Sequence, residues 1–102
     1  MVLAMTVFRR DKPWNVEEVT EAFKSTAPKY LDMPGLVRKQ YYVTESGDRA
    51  GGIYLWTSRA AAEVCYGEEW KAMVAAKYGV RPEIVYMAVP VTVDNVSHQI
   101  LA

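Results

Sequence analysis

The chain has 102 residues, of which 51% are hydrophobic and 24% are charged, and its twelve basic residues balance its twelve acidic residues. This size and composition predict one small globular domain, residues 1–102, and exclude a disordered chain. The balanced charge argues against a basic nucleic-acid-binding surface, so no nucleic-acid partner is expected. The single cysteine, Cys65, excludes an internal disulfide and a cysteine-based metal cluster.

The N-terminal segment MVLAMTVF predicts a strand. It is too short for a signal peptide, and no basic residue precedes its apolar run. No apolar run elsewhere in the chain reaches the length of a membrane span. We therefore expect a cytoplasmic protein with no membrane partner.

A first strand and a first helix are predicted before residue 30. Residues Val2–Phe8 are apolar or β-branched at nearly every position, which predicts a strand buried on both faces. Asn15 and Glu18 have the spacing of a capping box, and Pro28 is expected to end the helix that they begin. The apolar stripe of this helix comprises Val16, Val19, Ala22, Phe23 and Ala27.

The middle of the chain predicts a β-hairpin. A loop over Lys29–Gly35 leads into a strand over Leu36–Glu45, which is rich in valine and tyrosine. Ser46–Asp48 predicts a tight turn, and Ala50–Trp56 predicts the returning strand. Gly51 and Gly52 lie inside that strand, where glycines indicate a bulge or the close approach of another group.

A helical segment and a last strand follow the hairpin. Two short helices are predicted over Arg59–Tyr66 and Glu68–Tyr78. Ile84–Val93 predicts a strand, interrupted at Pro90 by an edge or a bulge. Residues 94–102 are expected to form a mostly polar tail.

The predicted order is β-α-β-β-α-β, which is the ferredoxin-like split unit of the α+β class. In this fold an antiparallel sheet carries its helices on one face. The first and last strands are nevertheless apolar on both faces, and an uncovered second face would leave a wide apolar patch in water. We therefore expect a homodimer in which two sheets pack face to face.

Several segments of the sequence match a known family. The segments are Met33-Pro34-Gly35-Leu36, Lys39, Thr44-Glu45-Ser46 and Ala50-Gly51-Gly52-Ile53-Tyr54-Leu55. They resemble the YdhR-like monooxygenase family, and the resemblance runs in register from the first strand to the tail. That family belongs to the dimeric α/β-barrel superfamily, which includes antibiotic-biosynthesis-type monooxygenases. The resemblance implies a dimeric α/β barrel with a cleft between helices and sheet in each subunit.

The same resemblance bears on cofactors. Trp56 is similar to the site tryptophan of some superfamily members, and the haem-degrading members also use a histidine on the following helix and an asparagine on the first strand. This chain has no histidine between Arg59 and Gly79 and no asparagine before Asn15. A haem-dependent reaction is therefore disfavoured. The sequence also contains no phosphate loop, dinucleotide motif or metal-ligand spacing, so no cofactor and no metal are expected.

Tyr54 and Trp56 are the first candidates for binding a ligand. They are two residues apart on one strand and so project from the same face. If that face is covered by helices, they line the cleft with Trp70 or Met73, and Tyr30 closes its mouth. The alternative is that Tyr54 and Trp56 are ordinary core residues beneath the helices.

The strand before the turn offers two sets of side chains. Arg38, Gln40 and Tyr42 lie on one face, and Val37, Lys39, Tyr41 and Val43 lie on the other. The pattern alone leaves open which set faces the cleft, because a slip of one residue reverses the assignment. The set with Arg38 and Tyr42 is the better pocket lining, since Arg38 would stabilise an enolate or phenolate, and the alternative is a solvated arginine at a strand end. Lys39, alternatively, is a charged group inside the barrel or at its rim.

The hypothesis for function is a cofactor-independent monooxygenase acting on a phenolic or polycyclic aromatic small molecule. The chain has no nucleophile with a neighbouring base, so the substrate itself would be deprotonated and would donate an electron to O₂. The alternative is a non-catalytic small-molecule-binding protein, or an isomerase or cyclase, with the same pocket. A purely structural dimer is the third possibility, and it predicts a cleft filled by the protein's own side chains.

Overall fold

The computed structural model describes all 102 residues. Its elements are β1 (Val2–Arg9), α1 (Val16–Tyr30), β2 (Leu36–Val43), β3 (Arg49–Trp56), α2 (Arg59–Cys65), α3 (Glu68–Tyr78), β4 (Glu83–Ala88), β5 (Thr92–Asp94) and β6 (Gln99–Leu101). The main sheet has the strand order β2-β3-β1-β4, and every neighbouring pair is antiparallel. This confirms the predicted ferredoxin-like α+β fold. None of the helices combines the length and apolar character needed to cross a membrane.

Helix α1 begins as predicted but ends later. The Asn15 side chain accepts a hydrogen bond from the Glu18 amide at 3.2 Å, which caps the helix. The prediction that Pro28 ends the helix is wrong, because in the last turn a proline removes only one amide donor. The Leu31 amide still bonds to the Pro28 carbonyl at 3.3 Å. Tyr30 is therefore the buried last residue of α1 and not a loop residue.

The register of the β2–β3 hairpin decides which side chains face the helices. Lys39 lies opposite Tyr54 and Tyr41 lies opposite Gly52, while Val37 is the extra residue of a β-bulge between Leu36 and Arg38. Lys39, Tyr41 and Val43 consequently share the helix-covered face with Tyr54 and Trp56. The other set, Arg38, Gln40 and Tyr42, lies on the opposite face.

The two glycines of β3 serve close packing and not a bulge. A Cβ atom at Gly51 would collide with the Thr6 carbonyl oxygen of β1. A Cβ atom at Gly52 would lie 2.7 Å from the Tyr54 ring and 3.1 Å from Lys39 Cε. The sequence predicted either a bulge or the close approach of another group at these glycines, and the structure shows the close approach. The bulge lies in the partner strand β2.

The core lies between the sheet and the helices and is dominated by aromatic side chains. Its buried members are Ala4, Phe8, Trp14, Val19, Phe23, Tyr30, Ala50, Tyr54, Trp56, Ala62, Tyr66, Trp70, Val74 and Tyr78. The opposite face of the sheet, here named the open face, carries Leu3, Met5, Ile53, Leu55, Val85 and Met87. Val85 is 48% exposed and Met87 is 37% exposed, so the open face is an uncovered apolar surface in this chain.

The C-terminal region differs most from the prediction. The last strand of the main sheet ends at Ala88, before Pro90, and does not continue to Val93. Strands β5 and β6 pair as a separate two-stranded hairpin, which the sequence did not predict. Asp94 organises its turn by accepting hydrogen bonds from the Val96 and Ser97 amides at 2.9 and 3.3 Å. The predicted polar tail over residues 94–102 is thus the second half of a hairpin.

Candidate functional site

A small cavity, here named the central cavity, lies between the sheet and helices α1 and α3. It is lined by Phe8, Thr26, Tyr30, Lys39, Tyr41, Gly51, Gly52, Tyr54, Trp70, Met73, Val74 and Tyr78. Its volume is about 10 Å³, which is close to the space that one water molecule needs. The cleft implied by the sequence is therefore largely filled by the protein's own side chains.

Tyr54 and Trp56 both face the helices and are fully buried. Tyr54 is 1% exposed and Trp56 is 0% exposed, and their rings stack with centroids 5.9 Å apart. Trp56 Nε1 donates a hydrogen bond to the Tyr66 hydroxyl at 3.1 Å, which satisfies its only polar group. Tyr54 lines the central cavity, whereas Trp56 lies outside its lining. Both are core residues, and of the two only Tyr54 also lines the central cavity.

Tyr30 and Trp70 meet Tyr54 at the central cavity. Trp70 Nε1 donates a hydrogen bond to the Tyr30 hydroxyl at 2.9 Å. The Tyr30 ring meets the Tyr54 ring edge-on, with centroids 5.8 Å apart. Burial raises the pKa of the Tyr30 hydroxyl, so this group is neutral at pH 7. The structure thus brings together three of the predicted site residues, Tyr30, Tyr54 and Trp70.

Arg38 and Tyr42 do not join this group. The hairpin register places both on the open face and not beneath the helices, although Arg38 also lines the edge groove described below. The Tyr42 hydroxyl donates a hydrogen bond to the Thr6 carbonyl at 2.9 Å across that face. Arg38 is exposed near the edge of the sheet.

Lys39 provides the polar group that Arg38 was expected to provide. Its Nζ atom lies 3.4 Å from the centroid of the Tyr30 ring, 3.8 Å from that of Tyr41 and 4.5 Å from that of Tyr54. No carboxylate forms an ion pair with it. Burial lowers the pKa of Lys39 to about 7, with the thiol of Cys65 opposing the shift and the charge of Lys29 adding to it. Near neutral pH this amine is present in both charged and neutral forms.

The tyrosines around Lys39 are weaker candidates for proton transfer at neutral pH. Burial raises the pKa of Tyr41 to about 12, although its hydrogen bond with Thr26 opposes the shift. Burial also raises the pKa of Tyr54 far above its ordinary value. These hydroxyls hold their protons, so Lys39 is the group at the cavity that accepts a proton near pH 7.

Two open grooves adjoin the central cavity. The first, here named the edge groove, has a volume of about 380 Å³ and runs along the outer side of β2. It is lined by Ala27, Tyr30, Leu31, Asp32, Leu36, Val37, Arg38, Lys39 and Tyr41. The second, here named the helix groove, has a volume of about 960 Å³. It is lined by Lys29, Met33, Pro34, Gly35, Ala61, Val64, Cys65, Gly67, Glu68, Glu69 and Trp70.

The edge groove is the one that reaches the buried amine. Tyr30, Lys39 and Tyr41 line both it and the central cavity, whereas the helix groove shares only Trp70 with the cavity. Sequence reasoning identified Lys39 only through the family motif and ranked it below Arg38. A signal for it was present, because Lys39 and Tyr41 alternate on the same face of β2 as Val43.

Comparison with known families identifies the chain. The family model described as "Putative mono-oxygenase ydhR" matches residues 3–86. The chain belongs to this monooxygenase family. The match confirms the resemblance carried by the segments between Met33 and Leu55. A comparison with curated proteins finds no match.

Solved structures share the fold at low sequence identity. The monooxygenase ActVA-Orf6 of Streptomyces coelicolor, in complex with nanaomycin D, is 20% identical, with a TM-score of 0.66 and 86% of each chain covered. The cofactor-independent oxygenase SnoaB of Streptomyces nogalater is 18% identical, with a TM-score of 0.63 over 89% of this chain and 94% of that one. A protein of Caulobacter crescentus described as a "putative antibiotic biosynthesis monooxygenase" is 21% identical, with a TM-score of 0.61 over 86% of this chain and 90% of that one.

Proposed function

We propose that the protein is a cofactor-independent monooxygenase that acts on a phenolic or polycyclic aromatic small molecule. One observation carries the proposal: the Lys39 amine is surrounded by tyrosine rings at the point where the central cavity meets the edge groove. Flat aromatic walls with one polar group suit an aromatic ligand that carries an oxygen substituent. Membership of the monooxygenase family supports the class of reaction.

The substrate ring is placed in the edge groove and not in the central cavity. The central cavity holds about one water, whereas the edge groove falls within the usual range of ligand sites, about 300–1,000 Å³. Leu36 and Val37 supply apolar surface there, and Tyr41 supplies an aromatic wall. An oxygen substituent on the ring would then point toward Lys39.

The proposed reaction inserts one atom of O₂ into the substrate. An activated methylene group loses a proton, and the resulting carbanion gives an electron to O₂. The methylene becomes a carbonyl that contains one oxygen atom, and the second oxygen atom leaves as water with the two hydrogens of the methylene. The protein contributes orientation, removal of water and stabilisation of the anion. In this scheme Lys39 takes the anion-stabilising role that the sequence assigned to Arg38.

An oxygen electrode tests this function. Purified protein mixed with an anthrone should consume O₂ faster than buffer does, and Lys39→Met should lose most of that acceleration. Lys24→Met is the matched control, because Lys24 lies on the exposed side of α1 and pairs only with Glu21. An anthrone that is consumed no faster with protein than in buffer contradicts the proposal.

The rival function is a non-catalytic binding protein, or an isomerase or cyclase, that uses the same groove. The largely filled central cavity agrees instead with the third possibility, the purely structural dimer, because that possibility predicts a cleft filled by the protein's own side chains. Calorimetric binding of an anthrone without O₂ consumption would support this rival. Absence of both binding and O₂ consumption would leave the purely structural dimer.

We further propose that the chain forms a homodimer through the open faces of its two sheets. The support is the row of apolar side chains there, including Leu3, Met5, Ile53 and Val85, which no helix covers. Two such faces packed together would remove this surface from water and form a closed two-fold pair. We also propose a cytoplasmic location, which cell fractionation would test.

A further inference from the structure

Lys39 is an amine whose surroundings lack a partner. It is half-buried, forms no hydrogen bond and no ion pair within the chain, and lies against the faces of three tyrosine rings. Ring faces attract a cation, but they neutralise no charge. A charged group held in such surroundings is costly unless an anion accompanies it. The charged form of Lys39 therefore lacks a negatively charged partner within the chain, and a bound anion would supply one.

The groups around Lys39 do not supply that partner. The titratable side chains that face Lys39 or its groove are Lys29 and Tyr30 of α1, Asp32 of the following loop, Arg38 and Tyr41 of β2, Tyr54 of β3, Cys65 of α2 and Tyr78 of α3. The tyrosines and the thiol are held neutral by burial, which raises the pKa of each. Asp32 is the one carboxylate at the groove, and it forms no ion pair with Lys39.

We propose that Lys39 and the edge groove form a binding site for a small aromatic molecule with an acidic hydroxyl group, which is bound as its anion against the Lys39 ammonium. From the neutral partners, the step breaks the ligand O–H bond and forms an N–H bond on Nζ, and no oxidant is involved. The product is an ion pair, with no net charge, in which the Lys39 ammonium donates a charge-assisted hydrogen bond to the ligand oxyanion. Where Lys39 is already protonated, the ligand releases its proton to solvent and binds the existing ammonium, so in both cases Lys39 stabilises the anion by direct contact.

The edge groove favours an aromatic ligand of modest size. Tyr30 and Tyr41 present rings on either side of the amine, and Leu36 and Val37 extend an apolar wall away from it. The amine accounts for the preference for a hydroxyl that ionises readily, because such a proton moves to an amine more completely than that of an ordinary phenol. Burial lowers the pKa of Lys39 to about 7 and so makes its amine a weaker base than an ordinary lysine, which restricts proton transfer to hydroxyl groups that ionise readily. The inference rests on the proposed function for its class of ligand, an aromatic molecule with an oxygen substituent, but it does not require that the protein oxidises this ligand.

Absorbance of 4-nitrophenol tests the inference, because its neutral and anionic forms absorb at different wavelengths. The probe is titrated with full-length protein in mildly acidic buffer, where the free probe is mostly neutral. Bound probe should show the anionic spectrum with the wild type and with Lys24→Met. Lys39→Met should weaken binding by about ten- to a hundredfold, the size expected for a hydrogen bond to a charged group. Lys39→Arg should restore the anionic spectrum, because arginine stays charged.

A second measurement uses the unaltered protein. The NMR signal of the Lys39 side chain, followed through a pH titration, should show a higher pKa when the probe is bound. Any one of four results overturns the inference. They are a neutral spectrum for the bound probe, absence of binding, binding of the anion that survives in Lys39→Met, and a Lys39 titration that the probe leaves unchanged. Neither measurement depends on O₂ consumption, so an inactive protein that binds the anion would contradict the monooxygenase proposal and leave this inference standing.

Discussion

Trp70 Nε1 donates a hydrogen bond to the Tyr30 hydroxyl at 2.9 Å and thereby joins the first turn of α3 to the last residue of α1. Trp70 lines both the central cavity and the helix groove, and Tyr30 lines both the central cavity and the edge groove. The pair therefore lies where the central cavity borders both grooves. Both side chains are buried, so neither polar group has water as a ready substitute.

Trp70→Phe should destabilise the fold by about 1–3 kcal/mol, because it leaves the Tyr30 hydroxyl without its donor and leaves unfilled volume beside the cavity. Urea denaturation measures the loss. Tyr30→Phe removes the other partner, and the double variant should cost less than the two single changes together by about 0.5–1.5 kcal/mol. Strictly additive losses would contradict an energetic link between the two residues.

Gly52→Ala should disturb the Lys39 amine directly. The added Cβ would lie 2.7 Å from the Tyr54 ring and 3.1 Å from Lys39 Cε, so at least one of these side chains must move. We expect a loss of about 1–3 kcal/mol in unfolding free energy, the usual cost of overpacking. Binding of 4-nitrophenol should weaken as well. Gly67→Ala is the control, since a Cβ at Gly67 meets nothing within 4 Å. A Gly52→Ala variant as stable as the wild type, with unchanged binding, would be the contrary result.

The fold could be predicted because its signals are local and repeated. The capping box at Asn15 and Glu18, the Gly79 stop of α3 and the alternating strands each depend on a few neighbouring residues. The errors lie where tertiary contacts decide. Pro28 is tolerated in the last turn of α1, and the β5–β6 hairpin has too short an apolar pattern to stand out from a tail.

The site was harder to predict than the fold, because it depends on one strand register. Tyr30, Tyr54 and Trp70 were predicted as aromatic residues close to one strand face, and the structure brings the three together in the core. Choosing between Arg38 and Lys39 needed the pairing of Lys39 with Tyr54. The turn between β2 and β3 sets that pairing, because the register runs without interruption from the pair Val43 and Ala50 to the pair Arg38 and Leu55, and the bulge at Val37 lies beyond it.

Stability should rise with pH between about 7 and 9 because of Lys39. Burial lowers its pKa from 10.5 in the unfolded chain to about 7 in the folded protein. Below pH 7 the folded and unfolded chains both carry the proton, so folding bears the full cost of burying the charge. Between pH 7 and 10.5 the folded protein has lost this proton and no longer buries the charge, so the cost falls as the pH rises. One proton of difference over this window corresponds to about 2 kcal/mol. The raised pKa values of Cys65 and the buried tyrosines oppose the trend above about pH 9.

Urea denaturation at a series of pH values checks this prediction. The reference is Lys39→Met, which lacks the titrating group but keeps the other buried side chains. The unfolding free energy of the wild type should increase relative to this variant as the pH rises from 7 to 9. Parallel curves for the two proteins would indicate that Lys39 has an ordinary pKa and is solvated in the folded state.

Val85→Lys should weaken the proposed dimer. Val85 lies on the open face of β4 and is 48% exposed in the single chain, so a lysine there leaves the folded subunit undisturbed. In a face-to-face dimer the two-fold axis would bury this charge twice without a partner, which costs several kcal/mol. Sedimentation equilibrium should show dissociation at a concentration about a hundredfold higher or more than for the wild type. Val64→Lys is the matched control, because Val64 is 87% exposed on α2 and away from the sheet. Equal dimerisation of Val85→Lys and Val64→Lys would place the interface elsewhere. A wild-type chain that sediments as a monomer at every concentration would exclude the dimer.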